Sequence, residues 1–337
     1  MSADDAAGAS GREAKLAILG LGLIGGSILR AALDRMLVAE VQGWDNSPAA
    51  LEAAREAGFG PRLTRTLEDA CAGATMCVVA VPARAVPTLV DRARRVMPPG
   101  GVVTDTAGTK GWIAGEVRRL GRFRADRRDG AGGGEDLART GHGEDLPPFV
   151  GGHPITGSER GGFAASSAEL FDGRPWIVVP GAGAVGPAQT RAVEPAGARA
   201  ADPDDAADPA ARVETLVRGL GARPTRASAE THDRTLALTS HLPYLLAVAL
   251  AESAWKEQGA VAALAPFVAG GFRDSTRLAL QDPVMGLDML TTNAVELTRA
   301  LAEVTAAARA TIADRPSDRL RRAREFRAEL GRLKQWP

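Results

Sequence analysis

One of the four histidines in this 337-residue chain sits in a setting built for chemistry. The run Gly152-His153-Pro154-Ile155-Thr156-Gly157-Ser158-Glu159 places an imidazole after a glycine pair, fixes it with a proline and follows it with a carboxylate. About 130 residues upstream, Gly20-Leu21-Gly22-Leu23-Ile24-Gly25 follows a short apolar stretch and opens a helical one. In that setting Gly20 permits a tight turn, Gly22 lets backbone approach a pyrophosphate, and Gly25 lets helix pack on strand. The first amides of the helix, around Leu23 and Ile24, are offered to phosphate oxygens. Asp45, 20 residues past Gly25, suits two ribose hydroxyls and repels a 2′-phosphate, and no arginine follows it directly. These residues predict NAD as cofactor, with NADP less favoured. Val81, Pro82 and Asp105, at the ends of later strands, are expected to line the same site. A cofactor that takes hydride and a histidine that can take a proton read together as a dehydrogenase.

The elements that must position these groups are legible in outline. Strands are expected at 15–19, 41–44, 76–81 and 102–104, with helices at 27–37, 48–58 and 85–97. That alternation predicts an α/β, doubly wound, Rossmann-like parallel sheet. Residues 120–148 carry glycines and mixed charge and read as a loose insertion, as do residues 181–208. A strand at 176–179, a helix at 212–220 and an edge strand at 225–229 complete this part. From about residue 230 long helical periodicity takes over, with helices expected at 230–257, 283–310 and 317–334. Their apolar stripes need partners, which predicts an all-α C-terminal domain and burial across a homodimer. The expected division is a disordered tail at 1–13, a dinucleotide-binding domain at 14–226 with insertions at about 121–148 and 181–208, and a helical substrate and dimerisation domain at 227–337.

Composition narrows the classes. Lys plus Arg and Asp plus Glu balance at 41 each, which argues against a polyanionic partner such as nucleic acid. Two cysteines are too few for a disulfide framework, and no metal site is suggested. No uninterrupted apolar run approaches the length of a membrane span, and residues 1–12 lack the features of a signal peptide. The expectation is a cytoplasmic protein without membrane partners, with neither a fused domain before the glycine turn nor a regulatory module after the helices.

The chain resembles the prephenate and arogenate dehydrogenases. The resemblance rests on Gly20-Leu-Gly-Leu-Ile-Gly-Gly-Ser27, Asp105-Thr-Ala-Gly-Thr-Lys110, Gly152-His-Pro-Ile-Thr-Gly-Ser-Glu159, Ser240-His-Leu-Pro-Tyr244 and Gly271-Phe-Arg-Asp-Ser-Thr-Arg277, in that order, over roughly 16–180 and 227–310. It implies NAD-dependent oxidative decarboxylation of a cyclohexadienyl acid: prephenate to 4-hydroxyphenylpyruvate, or arogenate to tyrosine. It implies that His153 accepts the ring-hydroxyl proton and that Arg277 grips the ring carboxylate, a task suited to a guanidinium. Arg273, one helical turn earlier, competes with Arg277 for that role, and Asp274 can orient either. Lys110, Glu159, Ser240 and Tyr244 are expected to touch substrate. His241 is equally consistent with a packed core residue.

Three positions depart from the family pattern. Gly108 stands where a serine usually holds the reacting hydroxyl, with Thr106 or Thr109 the available replacements. Tyr244 replaces a histidine, and Gly286 replaces an aromatic residue. Each change removes or alters one pocket contact, and a lost hydrogen bond commonly costs ~1–3 kcal/mol. An alternative substrate is therefore 4-amino-4-deoxyprephenate, as in secondary metabolism. Two further alternatives are another NAD(P) dehydrogenase and a catalytically silent NAD-binding regulator.

Overall fold

The computed structural model describes residues 13–130, 146–156, 161–181, 194–195, 208–258, 264–313 and 316–334. The expected tail lies outside these residues except for Glu13, which starts the first strand, as do Glu159 and most of the expected second insertion.

The strands are β1 (Glu13–Leu19), β2 (Val38–Trp44), β3 (Met76–Val79), β4 (Val102–Asp105), β5 (Phe149–Pro154), β6 (Pro175–Val179), β7 (Glu194–Pro195) and β8 (Arg223–Arg226). They form one eight-stranded sheet in the order β2-β1-β3-β4-β5-β6-β8-β7. Pairing is parallel from β2 through β5, β6 then runs antiparallel to β5, and β8 runs parallel to β6.

Strand periodicity explains the layering. Successive side chains on a strand face opposite sides. Leu16, Ile18, Met76, Val78 and Val102 join one apolar cluster, while Ala17, Leu19, Cys77, Val79 and Val103 join another. On the first face lie α1 (Leu23–Asp34), α2 (Pro48–Ala54) and, much later in sequence, α6 (Pro209–Gly219). On the second lie α3 (Leu67–Cys71), α4 (Val86–Val96) and α5 (Gly111–Gly130). Both faces being covered makes the parallel strands continuous apolar runs, as in β3 and β4, where every residue is buried.

The remaining helices are α7 (Ala229–Leu236), α8 (Leu242–Gln258), α9 (Gly270–Thr276), α10 (Pro283–Thr292), α11 (Ala294–Ala313) and α12 (Pro316–Lys334). The chain divides into two compact units. The first runs through Thr235 and takes back Leu280–Asn293; the second comprises Leu236–Ala279 and the chain from Ala294 onward. Within the second unit α9 packs on α8, and α11 packs on α8 and α12.

Several sequence expectations are corrected here. The stretch from 120 is not a loop at its start, because α5 continues through Gly130. The 225–229 strand is not at the edge: β8 lies between β6 and β7, and Ala229 already opens α7. The single helix expected at 283–310 is two, broken at Asn293, whose side-chain amide donates to the Asp233 carbonyl at 2.8 Å. The expected absence of a span-like segment also needs amending. Ala229–Lys256 is long and apolar enough, by length and composition, to cross a membrane, although only 28% of that window is buried. Its first turns instead hold the buried polar pair His232 and Asp233, hydrogen-bonded into the sheet unit. Such a start belongs to a helix packed on protein, since unpaired polar groups in lipid are costly.

Candidate active site

The glycine turn has the geometry its spacing suggests. Gly20 has φ +99°, and a Cβ there would lie 2.3 Å from the Ala80 carbonyl oxygen. A Cβ on Gly25 would lie 1.8 Å from the Gly20 carbonyl oxygen. Both positions therefore exclude a side chain. At Gly22, by contrast, a Cβ would meet nothing within 4 Å, so the turn opens outward there. Gly22 is also the N-cap of α1, with no side chain capping the helix and no acidic residue in its first turn. A half-buried start of this kind, formed by Leu23 and Ile24, is suited to a phosphate.

Asp45 follows β2 and ties two turns together. Its Oδ2 accepts from the Leu21 amide and its Oδ1 from the Ser47 amide, each at 2.7 Å. Each carboxylate oxygen can still accept a further bond, so these contacts orient the group toward the turn and leave it able to receive ribose hydroxyls. Val81 is half-buried beside Gly20, and Pro82 is exposed at the end of the same segment.

Asp105 and Lys110, expected to line the ligand site, are both buried in this structure. Asp105 has no solvent exposure. Its carboxylate accepts from the Gly152 amide at 2.9 Å, the Ala107 amide at 3.1 Å and Lys110 Nζ at 2.5 Å. Lys110 Nζ also donates to the Gly152 carbonyl at 2.7 Å, with its side chain 2% exposed. Burial pushes the lysine's pKa down, against the pull of Asp105. Both groups are buried, and each is bonded to the other. Together they clamp both polar groups of Gly152, the residue before His153. A Cβ on Gly152 would lie 2.4 Å from the Asp105 carbonyl oxygen, which explains the small residue there.

His153 is half-buried near the end of β5. Its Nδ1 lies 2.9 Å from His232 Nε2, and the rings meet edge to face at 5.1 Å between centroids. His232 Nδ1 lies 2.7 Å from Asp233 Oδ1. Asp233 in turn accepts from the Lys110 amide at 2.8 Å and the Gly111 amide at 2.7 Å, at the start of α5. Burial lowers the His232 pKa, outweighing the opposite effect of Asp233. The Asp233 pKa is also lowered: burial opposes ionisation, but hydrogen bonds from His232 and the two amides prevail. His232 and Asp233 are absent from the sequence reading. The available signal was a second scarce histidine, adjacent to a carboxylate, near the start of a long helix.

Of the threonines near Gly108, Thr109 is buried and its hydroxyl meets that of Thr292 at 3.0 Å. Thr106 is half-buried after β4. Ser240, Tyr244, Arg273 and Arg277 belong to the helical unit. There Ser240 is half-buried, while His241 and Tyr244 are buried. Arg273 is exposed and pairs with Asp274 at 2.9 Å. Arg277 follows α9 and is exposed.

Residues 228–325 match the family described as prephenate dehydrogenase, dimerization domain, and residues 140–194 match prephenate dehydrogenase, nucleotide-binding domain. These matches, with the relatives below, indicate the prephenate and arogenate dehydrogenase family. Residues 15–108 also match a family described as NADP oxidoreductase, coenzyme F420-dependent. A cyclohexadienyl dehydrogenase of Zymomonas mobilis is 28% identical over 285 residues, covering 84% of this chain and 82% of that protein. A probable prephenate dehydrogenase, NovF, of Streptomyces niveus is 30% identical over 233 residues, 68% of this chain and 49% of that one. In fold, the chain is similar to prephenate dehydrogenase from Aquifex aeolicus in complex with hydroxyphenyl propionate and NAD+: TM-score 0.72, 20% identity, 96% of this chain and 99% of that one. The Synechocystis arogenate dehydrogenase gives TM-score 0.64 at 22% identity, covering 95% and 96%. The chain is thus a nicotinamide-nucleotide-dependent dehydrogenase with a Rossmann-like domain and a helical region.

Proposed function

We propose that this enzyme oxidatively decarboxylates a cyclohexadienyl acid with NAD, prephenate or arogenate being the substrate, and that His153 is its proton acceptor. The carrying observation is sheet topology. β1, β3, β4 and β5 run parallel, so the glycine turn after β1, Val81 after β3, Thr106 after β4 and His153 near the end of β5 share the carboxyl edge where such folds bind ligands. Asp45 favours NAD over NADP because a second negative group beside it would be repelled.

When bound, the nicotinamide supplies the hydride acceptor. His153 takes the ring-hydroxyl proton as the carbon bearing that hydroxyl loses hydride. The bond to the ring carboxylate then breaks, its electron pair aromatises the ring, and carbon dioxide leaves. His153 returns the proton to the phenolic oxygen, so the hydroxyl is unchanged overall. Arg277 holds the ring carboxylate until it departs. Arg273, whose guanidinium pairs with Asp274, is the competing candidate for that role. Ser240, Tyr244 and Glu159 are secondary substrate contacts. The protein acts in the cytoplasm as a homodimer formed through its helical unit, with the matched dimerization domain as support.

A second reading, 4-amino-4-deoxyprephenate as substrate, is favoured by one observation. The Thr109 hydroxyl is committed to Thr292, which leaves only Thr106 to stand in for the family serine beside the reacting hydroxyl. The test is NADH formation with prephenate, arogenate and the amino analogue in parallel, with His153→Asn as control. Turnover of prephenate or arogenate, lost in the variant, is the expected result. Turnover of the amino analogue alone selects the second reading, and no turnover of any of the three rejects both.

A further inference from the structure

His153 has two ring nitrogens, and only one can meet the substrate. In neutral imidazole one nitrogen carries hydrogen and the other a lone pair, so an acceptor must present the lone pair. The chain of contacts running away from His153 settles which nitrogen that is.

The argument starts at α5. The backbone amides of Lys110 and Gly111 point at the two oxygens of Asp233. A helix start favours negative charge, so Asp233 is an ionised acceptor. Its neighbour His232 Nδ1, at 2.7 Å, must therefore be a donor. His232 is fully buried, and burial disfavours its cationic form. It is consequently neutral, with the lone pair on Nε2. That nitrogen faces His153 Nδ1 at 2.9 Å and can only accept. His153 then carries its hydrogen on Nδ1, and its lone pair sits on Nε2.

We propose that His232, anchored by Asp233, is a positioning residue that holds His153 in the Nδ1–H tautomer and makes Nε2 the proton acceptor. This rests on the reading of His153 as the acceptor. Asp233 keeps its charge and takes no proton, as with the carboxylate of a serine-protease triad. When His153 becomes imidazolium, the Nδ1–H bond to His232 strengthens and is already in place. The other charged groups near His232 are Lys110 and Asp105, which oppose each other electrostatically. The arrangement also couples the site to the fold. Lys110, the residue before α5, gives Asp233 one of those amides, and its ammonium clamps Gly152 beside His153.

The readout is the 15N spectrum of histidine-labelled enzyme, without substrate, with His153→Asn identifying the His153 resonances among four histidines. Wild type should show His153 hydrogen on Nδ1. In His232→Leu the tautomers should mix, and kcat should fall about 10²-fold, as for a misplaced catalytic group, with little change in KM. In His232→Gln, whose carbonyl can accept from Nδ1–H, the tautomer and most of kcat should return. Hydrogen on His153 Nε2 in the wild type overturns the proposal. So does His232→Leu that keeps both tautomer and kcat, or His232→Gln no better than His232→Leu. Should His232→Leu fail to fold, the wild-type spectrum alone still decides. Because the spectrum needs no substrate, failure of every cyclohexadienyl acid to react would count against the proposed function and leave the tautomer result standing.

Discussion

The two compact units differ in where they leave their apolar residues. In the sheet unit the strands alternate between two closed clusters, each capped by three helices, and large residues such as Leu16, Ile28, Phe171 and Trp176 are almost wholly buried. In the helical unit Leu242, Tyr244, Ala247 and Leu297 are buried, while Leu250, Trp255, Val295, Ile312 and Phe326 stand exposed, Ile312 at 86%. A sheet covered on both faces closes its own core. A few helices with apolar residues on more than one side cannot. Exposed apolar area of this kind marks an interaction surface, and here a second copy of the same unit is the occupant the matched dimerization domain supports.

The sharpest way to break the comparison is to remove a charge from each unit. Lys110 and Asp105 are buried in the sheet unit, so Lys110→Met strands a carboxylate with no solvent exposure. Breaking one partner of such a pair costs about 3–5 kcal/mol. Chemical denaturation should register a loss of that size. Arg273→Ala in the helical unit breaks an exposed pair and should leave the midpoint unchanged. Equal effects would mean the sheet unit is not the more tightly closed of the two.

A smaller effect is expected from charging the helical surface. Leu250→Glu and Val295→Glu each place a carboxylate where an apolar side chain is exposed in the single chain. If that surface is covered in the dimer, each variant loses about 1.5–3 kcal/mol of burial per side chain. Sedimentation should then show dissociation to monomers at concentrations where wild type is dimeric. A wild-type protein that sediments as a monomer, or variants that remain dimeric, would assign the exposed residues no such role. Substitution at the glycine turn is the matching test in the sheet unit: Gly25→Ala should abolish NADH binding while leaving the dimer intact, because its Cβ would strike the Gly20 carbonyl.

The same contrast explains what the sequence made legible. The alternation of apolar runs and helical segments led to the sheet, because covered parallel strands read as short continuous apolar stretches. The glycine turn and Asp45 were legible because local geometry demands those residue types. The burial of Lys110 is not legible locally, because a lysine is ordinarily exposed and nothing in the surrounding sequence reveals its pairing with Asp105, five residues earlier. His232 was overlooked for a related reason. Its meaning comes from His153, 79 residues away, and from amides at the start of α5. Only pairing across the sheet unit assembles that chain. The break at Asn293 is hidden by helical periodicity on both sides, and it coincides with a side-chain bond from Asn293 to α7.

The smallest effect concerns pH and separates the units again. The folded His232 has a pKa below its ordinary 6.5, chiefly through burial, with Lys110 acting in the same direction and Asp233 and Asp105 against it. Below pH 6.5 the unfolded chain binds a proton that the folded chain refuses. Stability from this group is therefore complete above that pH and declines as pH falls toward the lowered folded value. Asp233, with a pKa lowered from 3.8, adds a loss of the same sign in a more acidic window. His153 faces the same ring, so the comparison belongs in a His153→Asn background. There, His232→Gln should flatten the dependence of Tm on pH just below 6.5 and leave the more acidic loss in place. Exposed pairs of the helical unit, such as Arg299–Glu303, are screened by solvent and should not produce that upper step. An unchanged upper step in His232→Gln would move the acid sensitivity to another group and remove the energetic distinction drawn for this buried pair.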